Sequence, residues 1–194
     1  MLSIGTMARA VWWPANERWE GESAQLPEGG FAMRIAIISD IHDHLDNLGA
    51  VLRAVQDASA LLCCGDLCSP FVVNRLGQGF PRPIHIVFGN NDGDRFRIAL
   101  NARQFPHLTI HGELAEIELG GRRIAMHHFD DVARLIAAAE KHDLVCFGHN
   151  HQFEITRSGN TLLVNPGEVM GGLSGAATYA VYDTECGEAV RFDF

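Results

Sequence analysis

The sequence predicts a mixed α/β domain in which two packed β-sheets are covered by helices. Short apolar, β-branched runs alternate with helix-period segments through the first half. The second half is a series of strand-like runs separated by glycine-containing turns. Polar residues concentrate where those runs end. At 194 residues the chain is long enough for one domain with a buried core and barely long enough for two. The organisation read from it is an irregular extension over 1–32 and a single domain over 33–194.

Residues 1–32, including Trp12-Trp13-Pro14 and Gly29-Gly30, carry no period. They lack the basic start and the apolar run of about 7 to 15 residues that make a secretory leader. Met33 stands directly before the first regular element and offers an alternative start codon. Arg34 to Ser39 reads as a strand buried on both faces, ending at Asp40. Asp43 is placed to cap a helix in which Leu48, Val51, Leu52 and Val55 recur at helical spacing. Ala60 to Cys64 is a second strand, stopped by Gly65-Asp66. Phe71 to Leu76 is a short helix, and Pro83 leads into a third strand, Ile84 to Phe88. That order implies parallel strands joined by right-handed crossovers.

A helix near Arg95 to Arg103 follows. Leu114 to Leu119 and Arg123 to Met126 are strands joined at Gly120-Gly121, a hairpin signal. Asp130 or Asp131 caps a helix with Val132, Leu135, Ile136 and Ala139 on one face. Leu144 to Phe147 is again strand-like. Glu154 to Arg157, Thr161 to Val164, Ala177 to Asp183 and Ala189 to Phe192 complete the strands.

Apolar residues make up 47% of the chain and charged ones 20%, the balance of a globular protein. Net charge is −9, Lys141 is the only lysine, and the arginines form no basic patch. Large nucleic acid is therefore not an expected partner. A negative protein that handles a negative substrate needs local positive charge, which bound divalent metal supplies. No stretch approaches the roughly 18 apolar residues that span a bilayer, so no membrane is expected. The five cysteines lack framework spacing, and Cys63, Cys64 and Cys146 sit in apolar runs. They read as buried thiols in a reducing cytoplasm. A zinc site on Cys64 and Cys68 lacks a second cysteine pair.

The strand ends carry the chemistry, because ligands of α/β sheets bind at the carboxyl ends of strands. Asp40 and His42 follow the first strand, Asp66 the second, and Asn90, Asn91 and Asp92 the third. His127 and His128 follow the strand after the hairpin; His149 and His151 follow Leu144 to Phe147. Singly, each has a bland reading. An Asp after a strand is usually a cap or turn residue, and Asn90-Asn91-Asp92-Gly93 alone is a turn. His149 and His151, two apart, would share one face of an extended segment. Together, such groups at five strand ends are not something folding alone requires. Oxygen and imidazole donors suit Mn, Fe, Ni, Co or Zn. Two such cations about 3.5 to 4 Å apart need a bridging anion, and an aspartate in the tight Gly65-Asp66 turn suits that place.

Asp40-Ile41-His42, Gly65-Asp66, Gly89-Asn90-Asn91-Asp92, His128 and Gly148-His149-Asn150-His151 match, in order, the D-x-H, G-D, G-N-x-D, H and G-H-x-H motifs of another group of proteins. By these motifs the chain resembles the calcineurin-like metallophosphoesterases, from Met33 to about Asp183. It is most similar to their small bacterial and archaeal phosphodiesterase branch, of the YfcE type, with Asn165-Pro166-Gly167 adding to the likeness. The resemblance implies a four-layer, two-sheet sandwich flanked by helices and a cofactor of two divalent metal ions. It implies that Asp40, His42, Asp66 and His151 hold one ion, and Asp66, Asn90, His128 and His149 the other, with Asp66 as bridge. His128 is chosen over His127 because Ala125-Met126-His127-His128 matches the family's apolar-x-Thr-His run at its last place.

Three positions depart from the pattern. Asn91 stands where many members have a histidine; an amide can position a phosphate oxygen but cannot act as a general acid. Glu168 stands where a small residue such as serine is usual, and Phe129 where glycine often follows the ligand histidine. The reaction expected is in-line attack on phosphorus by a hydroxide bound to the binuclear centre, with Asn91 orienting the phosphate and His44 or His127 as candidate proton donors. The expected substrates are small phosphodiesters with good leaving groups, and a homodimer is expected by analogy with small relatives. The rival reading is a non-catalytic scaffold on the same fold, as in the retromer complex.

Overall fold

A computed structural model describes residues 32–194 of the chain; the reading of the preceding segment as an irregular extension falls outside them. Chain order is β1 (Arg34–Ile38), α1 (Leu45–Ala54), β2 (Ala60–Cys63), α2 (Pro70–Gly79), β3 (Ile84–Ile86), α3 (Arg95–Ala102), β4 (Leu108–Ile110), β5 (Leu114–Leu119), β6 (Arg122–His127), α4 (Asp130–Ala138), β7 (Leu144–Cys146), β8 (Phe153–Ser158), β9 (Thr161–Pro166), β10 (Thr178–Asp183) and β11 (Glu188–Asp193).

One sheet runs β11-β10-β1-β2-β3-β4 and the other β5-β6-β7-β9-β8. Strands β1 to β4 are parallel, as the alternating half predicts, and β10 joins β1 antiparallel. Ile35, Ile37 and Leu62 of the first sheet pack against Ile124, Met126, Leu144 and Val164 of the second. The opposite faces bury the helices. Leu48, Val51, Leu52, Val72, Val73, Leu76 and Ile98 of α1 to α3 cover Ala36, Ile38 and Leu61. Ala133 and Ala137 of α4 cover Ala125, Val145 and Leu163. The result is the four-layer order helix, sheet, sheet, helix. Because β1 is buried on both faces, nearly every residue in it is apolar.

Local details correct the sequence reading. Helix α1 is capped by His44, whose Nδ1 accepts the Asn47 N–H. Asp43 instead reaches across to α2, accepting the Ser69 N–H at 2.9 Å and the Ser69 hydroxyl at 2.7 Å. Helix α2 is longer than expected, because Ser69 and Pro70 are suited to the first turn. Neither Asp130 nor Asp131 caps α4; Phe129 occupies that place. Its buried stripe is Ala133 and Ala137 rather than the face containing Leu135, which is 73% exposed. Strand β4 is only three residues long, too short for its Leu-Thr-Ile alternation to announce a strand. The Gly120-Gly121 turn has φ of 56° and 73°, the double positive φ of a two-residue hairpin turn.

Candidate metal centre

The loops after β1, β2, β3, β6 and β7 meet at one edge of the sandwich. Asp40 Oδ1 lies 3.7 Å from His42 Nε2 and 3.5 Å from His151 Nε2. Asp66 Oδ2 lies 3.5 Å from His42 Nε2 and 3.4 Å from His128 Nε2. Asn90 Oδ1 sits 3.1 Å from His128 Nε2 and 2.9 Å from His149 Nδ1. The seven residues named from the motifs therefore form one continuous cluster. Asp40 and His128 are wholly buried and Asp66 nearly so, whereas Asn90 is at the exposed mouth.

The other candidates stand apart. His127 is turned to accept the Phe129 N–H at 3.2 Å, and burial lowers its pKa below the usual imidazole value. His44 is exposed at the start of α1 with Nδ1 committed to the cap. Asn91 is exposed, and its backbone N–H and side-chain amide both donate to Asp66 at 2.8 Å. An amide carries two N–H bonds, so one donor remains to face a ligand. His149 and His151 do not share an extended face. They lie in the loop between β7 and β8 with φ of 72° and 61°, and turn to different partners.

Left-handed backbone is concentrated here. Asp40, His42, Asp66, His149 and His151 all have positive φ, and so do Asp43 and Cys68 beside them. Each non-glycine residue in that region costs about 1 kcal/mol or more, so these residues are held against their preference by what surrounds them. Gly148 shows how tight the hold is: a Cβ there would run into Ser39 Oγ and Asp40 Oδ2.

Two side chains that had no assigned role do much of the bracing. Asp92 Oδ1 accepts the N–H groups of Leu67 and Cys68, and Oδ2 those of Gly89 and Asp66. It locks the Gly65-Asp66 turn to the Gly89-Asn90 turn. Burial raises its pKa, only partly offset by those donors. Its place in the Gly89-to-Asp92 motif was the available signal. Glu168, the departure after Asn165-Pro166-Gly167, is fully buried and contacts His151 Nδ1 at 2.6 Å.

The electrostatics call for cations. Asp40, Asp66, Asp92 and Glu168 are all at most 5% exposed; among the described residues the ion pairs of Asp40, Asp66 and Glu168 are with histidines, and Asp92 is met by backbone N–H groups. Buried carboxylates without compensating charge are costly. Burial would raise the Asp66 carboxyl, but His128 and then Asn91 outweigh it and hold it well below the usual carboxylate range. His128 is depressed by burial but raised further by Asp66, so its net shift is upward. His42 is raised chiefly by Asp40. Asp40 Oδ1 and His42 Nε2 nevertheless have no hydrogen-bond partner. Two orphaned buried lone-pair atoms aimed at one another, with His151 Nε2 beside them, fit a divalent ion. The ligand atoms of Asp40, His42 and His151, and again those of Asp40, Asp66 and His128, lie within 4.8 Å of one another. Cys68 Sγ, 3.4 Å from His42 Nδ1, is a neutral thiol, pushed up to about 12 by burial and then by nearby carboxylates. Cys64 packs between the sheets, whereas Cys68 faces His42.

The Calcineurin-like phosphoesterase superfamily domain matches residues 33–187. Phosphodiesterase MJ0936 of Methanocaldococcus jannaschii is 29% identical over 157 residues, covering 79% of this chain and 94% of that protein. A solved structure described as a novel archaeal phosphodiesterase superposes with a TM-score of 0.78 at 28% identity, covering 84% of this chain and 100% of that one. Vacuolar Protein Sorting 29 from Cryptosporidium parvum superposes with a TM-score of 0.60 at 19% identity, covering 84% and 98%, a likeness of fold alone. Among the described residues no helix is long and apolar enough to cross a membrane.

Proposed function

The chain belongs to the calcineurin-like phosphoesterase superfamily, and from that premise we propose that it hydrolyses small phosphodiesters at a centre of two divalent metal ions. The observation that carries this reading is Asp66 Oδ2, set between His42 Nε2 at 3.5 Å and His128 Nε2 at 3.4 Å. One carboxylate facing two imidazoles, each with further donors beyond it, is what a bridging ligand needs. Asp40, His42, Asp66 and His151 would hold one ion; Asp66, Asn90, His128 and His149 the other. Manganese, nickel, iron, cobalt and zinc all suit oxygen and imidazole donors.

When bound, such ions supply Lewis acidity, charge against the phosphoryl oxygens and a water acidified from about 16 toward about 7. The protein's own residues do the rest. Asp92 keeps the two ligand-bearing turns in register. The remaining amide N–H of Asn91, at the mouth, orients a phosphoryl oxygen. Water adds to phosphorus, the opposite P–O ester bond breaks, and the products are a phosphomonoester and an alcohol. Asn91 cannot protonate the departing oxygen, so leaving groups of low pKa are favoured; His44 or His127 is the candidate donor for others. The relatives named phosphodiesterases support the choice of diesters. A small substrate, a cytoplasmic setting and a homodimer complete the proposal.

A scaffold role draws support from the likeness to Vacuolar Protein Sorting 29. The unbroken set of metal-competent side chains favours catalysis instead. The test is metal analysis of the purified protein with a bis(p-nitrophenyl) phosphate assay before and after chelation. Activity that disappears on metal removal and returns on re-addition is expected; activity indifferent to complete removal defeats the reading.

A further inference from the structure

The four imidazoles of the cluster are supported from behind in different ways. His128 Nδ1 faces the Cys64 carbonyl at 2.7 Å, and His42 Nδ1 faces the Cys68 thiol at 3.4 Å. His149 turns its Nδ1 inward to Asn90. His151 alone is backed by a carboxylate, Glu168 Oε2 at 2.6 Å. That contact leaves His151 Nε2 directed at Asp40 Oδ1, 3.5 Å away.

The other Glu168 oxygen is also committed. Oε1 accepts the Leu173 N–H at 2.8 Å, the Ser174 N–H at 2.6 Å and the Ser174 hydroxyl at 2.8 Å. The same segment is strapped to the end of β1, since the Val169 N–H donates to Ser39 O and the Met170 N–H to Asp40 O. Asn47 Nδ2 holds the Val169 and Met170 carbonyls from α1. One buried carboxylate therefore joins a candidate metal ligand to the glycine-rich loop 171–175.

We propose that Glu168 is a positioning residue for the ion held by Asp40, His42, Asp66 and His151. It fixes His151 with its proton on Nδ1 and its lone pair on Nε2, and makes this position the tighter of the two. The physical basis is general. A carboxylate behind a ligating imidazole sets the tautomer, aligns the ring and raises its donor strength, and losing it costs about 10- to 100-fold in metal affinity. The same hydrogen bonds couple loading of this position to order in the 171–175 loop. The inference rests on the two-ion reading above and adds an asymmetry to it.

The test is a calorimetric titration of metal-free protein with Mn(II), for wild type and Glu168→Gln. Wild type should bind two ions in two resolved steps. In E168Q, whose amide opposes the Leu173 and Ser174 donors, the tighter step should weaken about 10- to 100-fold while the weaker step is unchanged. Two steps of unaltered affinity in E168Q overturn the positioning role and leave the two-ion centre intact. A wild type that binds no ion overturns both. Should E168Q not fold, long-range proton–nitrogen NMR of the wild type decides: protonated Nδ1 at His151 is expected, and protonated Nε2 refutes the inference. Ser174→Ala should leave the tautomer unchanged and increase amide exchange in the loop.

Discussion

Asp92 accepts the backbone N–H of Asp66 at 3.2 Å, so the residue that ends the third polar motif positions the residue that ends the second. Three further N–H groups, from Leu67, Cys68 and Gly89, converge on the same carboxylate. Asp92→Ala would leave four donors without this partner, and the expected destabilisation is about 3 kcal/mol. Asp92→Asn should be nearly as damaging, because its NH2 would oppose N–H groups. Urea denaturation measures both; a loss below about 1 kcal/mol in both variants would contradict the bracing role.

Asp66 is the carboxylate shared between the two halves of the cluster. Asp66→Asn keeps the shape but removes the charge. Metal content should fall from two ions toward one or none, and diesterase activity by about 100-fold or more. Elemental analysis alongside kinetics checks this. Unchanged stoichiometry would show that Asp66 does not bridge.

Adding the preferred metal should stabilise the fold through mass action. At a free ion concentration 100 times Kd the gain is about 2.7 kcal/mol, part of it from relief of repulsion among Asp40, Asp66 and Glu168. Thermal melts with and without chelator report it. Identical melting temperatures would mean that the cluster binds no metal.

Asn91 stands where a titratable side chain would serve as acid. Rates on aryl diesters should fall steeply as the leaving-group pKa rises. Asn91→His should recover about 10-fold or more on the poorest leaving groups while changing the best ones little. A flat dependence in wild type, with chemistry limiting, would point to another donor such as His127 or His44.

Away from the centre, His85 Nδ1 and His111 Nε2 lie 2.9 Å apart. Burial, and then His111, push His85 down to about 4; burial lowers His111 as well. A folded-state pKa below the unfolded value of about 6.5 makes the unfolded chain bind the proton more readily. The contribution is complete above about pH 6.5 and is lost as pH falls toward about 4. For these partly exposed rings it is about 1 kcal/mol after solvent screening. Denaturation at pH 7 and pH 4.5 should show a smaller acid loss in His85→Gln than in wild type. Equal losses would remove the pair from the account of acid stability.

The parallel half of the fold was legible because strand residues buried on both faces must be apolar, and Ile35 to Ile38 and Ala60 to Cys63 are. The hairpin at Gly120-Gly121 was legible because its two positive φ values select glycine. Caps were less so. Asp43 satisfies the rule for a cap at α1 but spends its oxygens on Ser69, a partner 26 residues away. Leu135 fits a helical stripe, yet Ala133 and Ala137 are the residues of α4 that bury against the second sheet, and Leu135 is left in solvent.

By itself the sequence determined which chemistry-bearing residues end which strands, since those residue types and their spacing are local properties of the chain. Only the tertiary structure decided their company: that Asp66 faces both His42 and His128, that Asp92 braces two turns, and that Glu168 backs His151. Those contacts join residues 17 to 62 positions apart in the chain. Their distances and the burial that governs their charge exist only once both sheets have packed.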